Sequence, residues 1–378
     1  MKGRRARGSI TRMPVELIGM IGVRPEGADG AAVHVIGGAI DREWTRDFAQ
    51  AHERAGFDRV LVGYTSTSAD GFLVAGYAAS VTERLSYLLA HRPGFVAPTL
   101  AARKAATLDH FTGGRLALHV ITGGSDGEQA RDGDWLDHDT RYRRTDEYLE
   151  IVRRVWTSEK PFDFTGEFYR IKGAFSDVKP LQQPAIPLYF GGASGPAPVV
   201  GIKHCDVYAL WGEPLAAVRE RVAEVRALAR RLGREVRFSV STRPIIAPTE
   251  AKAWERAQAI LARVQAARPT IVGEGAGIRP QAEGARRLVD FAERADVYDK
   301  RLWMPIAAAM GGAGNTTALV GTPEQVAESL LDYYDAGAST LLIRGFDPLN
   351  DAVEYGRELI PLVRAEVARR DRAAAVTA

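Results

Sequence analysis

The sequence predicts a (β/α)8 barrel carrying two insertions. Three observations lead there. Eight short apolar runs recur along the chain, and a segment of helical periodicity follows each. Apolar residues form 46% and charged residues 26% of the 378, ordinary for a soluble globular protein able to bury a large core. Hydroxyl, imidazole and guanidinium groups gather just after the runs, where a barrel builds its site. A doubly wound sheet is the alternative, because strand order is not written in a sequence.

The elements follow in order. Residues 15–22 form the first strand, and a helix over 43–55 places Trp44, Phe48, Ala51 and Ala55 on one face. Strand 57–63 precedes helix 72–82, strand 85–90 precedes helix 100–109, and strand 115–122 precedes helix 141–156. Residues 160–186 break the rhythm: FDFTGEFYRIKG alternates like a hairpin and a proline-rich stretch follows. Strands 188–191 and 206–211 come next. Helix 214–232 repeats Leu215, Val218, Val222, Val225, Leu228 and Leu232, with Gly233 where a capping glycine belongs. Strand 236–246 and helix 250–266 precede a second interruption over 268–319, whose MGGAGNTT suits a mobile loop. Thr322, Pro323 and Gln325 mark a strong helix start. Strand 340–344 and helix 349–367 close the set. One domain therefore spans 15–367, between a basic tail at 1–14 and a C-terminal tail at 368–378.

Composition narrows the function. The charge balance, 50 − 47 = +3, is too even to imply a nucleic-acid partner. No run approaches 18 apolar residues, so a membrane span is not expected. Cys205 is the sole cysteine and the seven histidines show no HExxH, so neither a disulfide nor a metal site is indicated. The basic beginning has no apolar stretch of the secretory kind, and a cytoplasmic enzyme is expected.

The candidate groups have two readings each. Gly191-Gly192-Ala193-Ser194 at a strand-to-helix junction can present N–H groups and a hydroxyl to a phosphate, or be an ordinary turn. Trp211 can wall an aromatic ligand, or simply pack. Arg243 lies in an otherwise neutral strand and needs an anionic or carbonyl partner, either a ligand or a structural one. His119 can serve a ligand or the core. His138 and Tyr142 are four apart and share a helix face, to bind phosphate or to cap and pack. Without a Ser-His-Asp spacing or a carboxylate pair, chemistry carried by an organic cofactor is the economical account.

Taken together, several stretches resemble the bacterial luciferase-like flavin monooxygenases, specifically their alkanesulfonate monooxygenase branch. They are RPGFVAPTLAARKAATLDHFTGGR at 92–115, VITGGSDGEQARDGDWLDHDTRYRRTDEY at 120–148, PLYFGGAS at 187–194, WGEP at 211–214 and GGAG…TALVG at 311–321. The resemblance implies a luciferase-like barrel that takes reduced FMN from a separate NAD(P)H-dependent flavin reductase. With O2 it would oxygenate a small molecule, in the sulfonate branch by C–S cleavage. It also implies a homodimer or homotetramer. By position, Gly191, Gly192, Ala193 and Ser194 would bind the FMN phosphate with Tyr142 and His138. His119 and Thr122 would contact the flavin, and residues 311–314 would belong to a closing loop.

The chain departs from the branch at its substrate positions. An Arg-x-His is replaced by Ser241-Thr242-Arg243, a cysteine by Ser68, a tyrosine by Phe346 and an arginine by Met310. Arg243, Ser68 and Trp211 are the catalytic candidates; Ser241, Arg344, Phe346 and Met310 are the substrate-binding ones. Arg243 with Arg344 could form an anion clamp, or one arginine could meet the flavin edge. A deazaflavin (F420) oxidoreductase and a non-catalytic flavin- or phosphate-binding barrel are the alternatives.

Overall fold

A computed structural model describes residues 15–24, 39–272 and 280–377; the basic tail expected at 1–14 lies outside them. Its strands are β1 (Glu16–Ile21), β2 (Arg59–Val62), β3 (Ser86–His91), β4 (Leu116–Ile121), β5 (Phe162–Thr165), β6 (Arg170–Ala174) and β7 (Leu188–Gly191). They continue with β8 (Val207–Trp211), β9 (Arg237–Ile246), β10 (Val297–Tyr298), β11 (Leu302–Trp303), β12 (Ala318–Gly321) and β13 (Thr340–Ile343). Eight of them pair in parallel in the order β1-β2-β3-β4-β7-β8-β9-β13, and β13 pairs back with β1. The ring closes, so the chain is a (β/α)8 barrel and not an open doubly wound sheet.

Period-two alternation builds the interior. Ile18, Leu61, Leu88, Ala117, Tyr189, Val207 and Leu342 form one inward layer. On its N-terminal side Glu16 pairs with Arg59 at 2.8 Å and accepts from the Tyr189 hydroxyl at 2.6 Å, so the barrel is plugged below the mouth. The alternate residues, such as Val60, Leu89 and Leu118, pack outward under the helices.

Three differences from the sequence reading bear on the site. Helix His138–Thr157 starts a turn earlier than residue 141, because Asp137 caps it by accepting from the Thr140 amide at 2.9 Å. The 160–186 interruption is the expected hairpin, β5 with β6. The second one is less open than its glycines suggest. It holds helix Glu283–Ala292, β10, β11, helix Pro305–Ala309 and β12. β12 lies parallel to the far half of the ten-residue β9. β9 thus pairs with β13 through Thr242 and with β12 from Arg243 onward, leaving the ring at that residue. The last helix, Ile360–Thr377, also continues past residue 367, where a tail was expected.

Candidate active site

A cavity of about 290 Å³ opens at the C-terminal ends of β3, β4, β7 and β8. Strand register explains its wall. Ile121 pairs with Gly191 and Gly191 with Ala209, so these residues share the inward face. His119 lies two residues below Ile121, and Trp211 two above Ala209. His119, Ile121, Gly191, Ala209 and Trp211 all line the cavity.

One end is built on the turn after β7. Gly191, Gly192, Ala193 and Ser194 line it, with His138 and Tyr142 from helix His138–Thr157. The Ser194 hydroxyl donates to the Tyr142 hydroxyl at 3.1 Å. The His138 ring lies 5.0 Å from that of Tyr142, as their four-residue spacing requires, and its Nδ1 meets Asp139 at 2.7 Å. The Tyr208 hydroxyl donates to the Gly192 carbonyl and holds the turn. Glycine is required at 192: a Cβ there would stand 2.9 Å from both the Tyr142 hydroxyl and the Ala197 Cβ.

The rest of the wall is mixed. Burial holds the His119 imidazole down to about 4, so it is neutral at pH 7, and its enclosed Nδ1 has no hydrogen-bond partner among the described residues. Thr122 sits beside it, and Gly284 closes over Trp211, whose ring a Cβ at 284 would meet at 3.2 Å. Arg92 is 6% exposed, pairs with Glu128 at 2.7 Å and lies over the Tyr64 ring at 4.6 Å. Its Nε and Nη1 have no hydrogen-bond partner among the described residues.

Sequence reasoning assigned no role to Arg92, Glu213, Arg221 or residues 282–284, all of which line this cavity. Arg92 was visible as a cation directly after a strand. Arg221 was hidden in the polar positions of an amphipathic helix. Residues 282–284 arrive from the second insertion, which carries no local signal of where it folds.

The remaining candidates lie elsewhere. Arg243 does not face the large cavity; it is 1% exposed and lines a second one of about 10 Å³ with Arg344, Met20, His52 and Tyr355. The reason is the departure of β9 from the ring. Arg243 Nε donates to the Asn315 carbonyl and Nη1 to the Gly345 carbonyl, each at 3.3 Å, and its guanidinium lies 4.7 Å over Phe346. Burial, and then the like charge of Arg344, hold Arg243 well below the usual arginine range. Arg344 donates to Met20 Sδ at 2.8 Å and to the Gly314 carbonyl, and burial lowers it to about 10. The two arginines are neighbours, as an anion clamp requires, but protein acceptors take these N–H groups.

Phe346 and Met310 are each 1% exposed, in one apolar cluster with Trp303 and Ile306. Ser241 lies on the inward face opposite Trp211, off the cavity wall, and its carbonyl accepts from Asn315 Nδ2 at 2.6 Å. Ser68 is engaged within its own turn, donating to the Thr65 carbonyl at 2.9 Å and accepting from the Thr65 amide at 3.1 Å. The glycines at 311–314, expected in a mobile closing loop, form a buttressed turn. A Cβ at Gly312 would meet the Ala285 carbonyl at 2.3 Å, and the Gly314 and Asn315 carbonyls are held by Arg344 and Arg243.

A closed parallel barrel whose strand ends wall a mouth cavity is the architecture of a barrel enzyme. Its family is given by the sequence itself: a model of the luciferase-like monooxygenase family matches residues 22–340, and the chain belongs to that family. It is thereby an oxidoreductase. Among solved structures it is similar to riboflavin lyase RcaE, crystallised with modified FMN and riboflavin (TM-score 0.77, 19% identity, 94% of this chain and 92% of that one). It is also similar to DmoA from Hyphomicrobium sulfonivorans (TM-score 0.75, 20% identity, 94% and 89%). A third is the long-chain alkane monooxygenase LadA (TM-score 0.74, 20% identity, 95% and 92%). At these identities the likeness is one of fold. The sulfonate branch is not singled out by them.

The residues present fit FMN, the flavin this family implies. The Gly191–Gly192 turn has no side chains of its own on the cavity wall and two hydroxyls at its rim, as a phosphate needs. His119 brings a neutral imidazole to the wall of the same cavity, and Trp211 a flat apolar wall, as a ring system needs.

Proposed function

We propose that the protein is the oxygenating component of a two-component monooxygenase, working on reduced FMN delivered by a separate NAD(P)H-dependent reductase. The observation that carries this reading is the cradle at 191–194, which opens into the same cavity as His119, Thr122 and Trp211. Ser194 and Tyr142 hold the FMN phosphate, with His138 beside them. Bound reduced FMN supplies the electrons that activate O2, so that one oxygen atom enters a small organic substrate. His119, neutral at working pH, offers one ring nitrogen to the flavin without adding charge. Trp211 and the 282–284 segment over it exclude water from the reacting end. Arg92, held by Glu128, adds a positive charge to the same wall.

Organosulfonates are the first substrates to assay, because the motif resemblance is to that branch. Neither arginine of the expected clamp lines the cavity, so neutral organosulfur compounds and alkanes belong in the same panel.

Titration with FMN, riboflavin and F420, oxidised and reduced, tests the cofactor assignment. FMN is expected to bind tightly and riboflavin much more weakly. Oxygen uptake with FMN, a flavin reductase and NADH is expected to yield oxygenated product. Equal affinity for FMN and riboflavin would remove the phosphate cradle from the account, and tighter binding of F420 would overturn FMN as the cofactor.

A further inference from the structure

A phosphate monoester carries a charge of about −1.5 to −2 at neutral pH. The side chains that the cradle described above offers it are neutral: the Ser194 and Tyr142 hydroxyls. His138 is engaged with Asp139, which is itself anionic. Burying a phosphate against neutral donors alone leaves its charge uncompensated. The arginines on the cavity wall are Arg92 and Arg221, and no lysine joins them among the described residues.

The two arginines lie on different sides. Arg92 follows β3, stands over Tyr64 of the β2 turn and pairs with the half-buried Glu128. Between it and the cradle after β7 stands β4. Arg221 lies on helix Leu215–Arg231, which follows β8, the strand next to β7. It is three residues from Val218, hence on the same helix face, and Val218 also lines the cavity. Burial pushes the Tyr208 hydroxyl up, and the nearby Arg221 charge works against that rise; this same hydroxyl holds the Gly192 carbonyl. Arg221 therefore belongs to the cradle end.

Its existing partner leaves it available. Arg221 contacts Glu224 at 3.4 Å, and that carboxylate side chain is 57% exposed while the arginine is 21% exposed. An ion pair so open to water holds its members weakly. A guanidinium is also the side chain best matched to phosphate geometry.

We propose that Arg221 is the counter-charge for the FMN phosphate, a cofactor-binding residue supplied by the helix after β8. This inference rests on the cofactor reading above.

The test compares FMN and riboflavin binding in Arg221→Met, Arg221→Lys and the parent, with thermal melting as the check on folding. Arg221→Met is expected to weaken FMN binding about 10- to 100-fold, as expected for loss of a hydrogen bond to a charged group. Riboflavin affinity is expected to stay as it was, and Arg221→Lys to recover part of the loss. The parent's FMN affinity is also expected to fall with added salt or inorganic phosphate more steeply than that of Arg221→Met. A parent that prefers FMN together with an Arg221→Met variant that keeps the preference overturns the Arg221 assignment alone. A parallel loss of riboflavin affinity also overturns it, as a structural effect. A parent without any preference for FMN overturns the cradle and Arg221 together.

Discussion

The barrel mouth has two halves that treat polar side chains in opposite ways. On the β4–β7–β8 side, His119, Ser194, Tyr142 and Trp211 stand around open space, and His119 Nδ1 has no hydrogen-bond partner among the described residues. On the β9–β13 side, Arg243 and Arg344 are turned onto carbonyls and a thioether, and the cavity between them is about one water in size. The difference teaches where to look for binding. A buried charge given backbone acceptors contributes to architecture, whereas a buried donor facing a void awaits a ligand.

The largest effect should come from breaking the filled half. Arg243→Met strips the donor from the Asn315 and Gly345 carbonyls, and at about 1–3 kcal/mol for each stranded group the fold should lose roughly 2–6 kcal/mol. FMN affinity should hardly move. Urea unfolding alongside a flavin titration checks both, and a variant that keeps its stability but loses flavin would erase the contrast between the halves.

Next comes the open half. Ser194→Ala combined with Tyr142→Phe should weaken FMN binding by about 1–3 kcal/mol, because hydrogen bonds to a charged group are lost. Riboflavin binding and the melting temperature should be spared. A fall in stability without a change in FMN affinity would show that these hydroxyls serve the fold.

Acid should act on the packed interior. Burial holds His52 and His91 at about 4, below the usual 6.5. The unfolded chain then binds protons that the folded chain refuses. The stability they contribute is complete above pH 6.5 and is lost as pH falls toward 4, at about 1.4 kcal/mol per pH unit for each imidazole. Unfolding free energies measured at pH 7, 6 and 5 should show this slope, and His91→Gln should flatten it. A curve whose slope is the same with and without His91 would contradict the assignment.

The smallest effect is expected at Ser68. Its hydroxyl serves only the Thr65 turn among the described residues, so Ser68→Ala should cost about 1 kcal/mol of stability or less and leave FMN affinity alone. A large loss of turnover with unchanged flavin binding would return Ser68 to the reaction.

Legibility followed the range of the signal. Strands and helices were readable because period-two and period-3.6 patterns are local, and the caps at Thr322 and Gly233 are written within a few residues. The glycine-turn end of the cavity was readable for the same reason: residues 191–194 are one turn, and His138 and Tyr142 one helical step. That Arg243 would lie off the large cavity was not readable, because alternation along β9 assumes one continuous neighbour. The strand changes partner from β13 to β12 at that residue, and β12 is 75 positions away in the chain (318 − 243). The glycines at 311–314 look mobile in isolation; the two arginines that hold their turn come from other strands.

By itself the sequence determined the eight-fold alternation of strand and helix, the glycine turn, the hydroxyls beside it and the family they resemble. Each rests on residues close together in the chain, where sterics and periodicity act directly. Only the tertiary structure decided that Arg221 and residues 282–284 share a cavity with His119, and that Arg243, Arg344, Phe346 and Met310 do not. Those outcomes depend on which distant segments supply acceptors for a buried donor, and a side chain's partners across the barrel are set by closure of the ring, not by its neighbours in sequence.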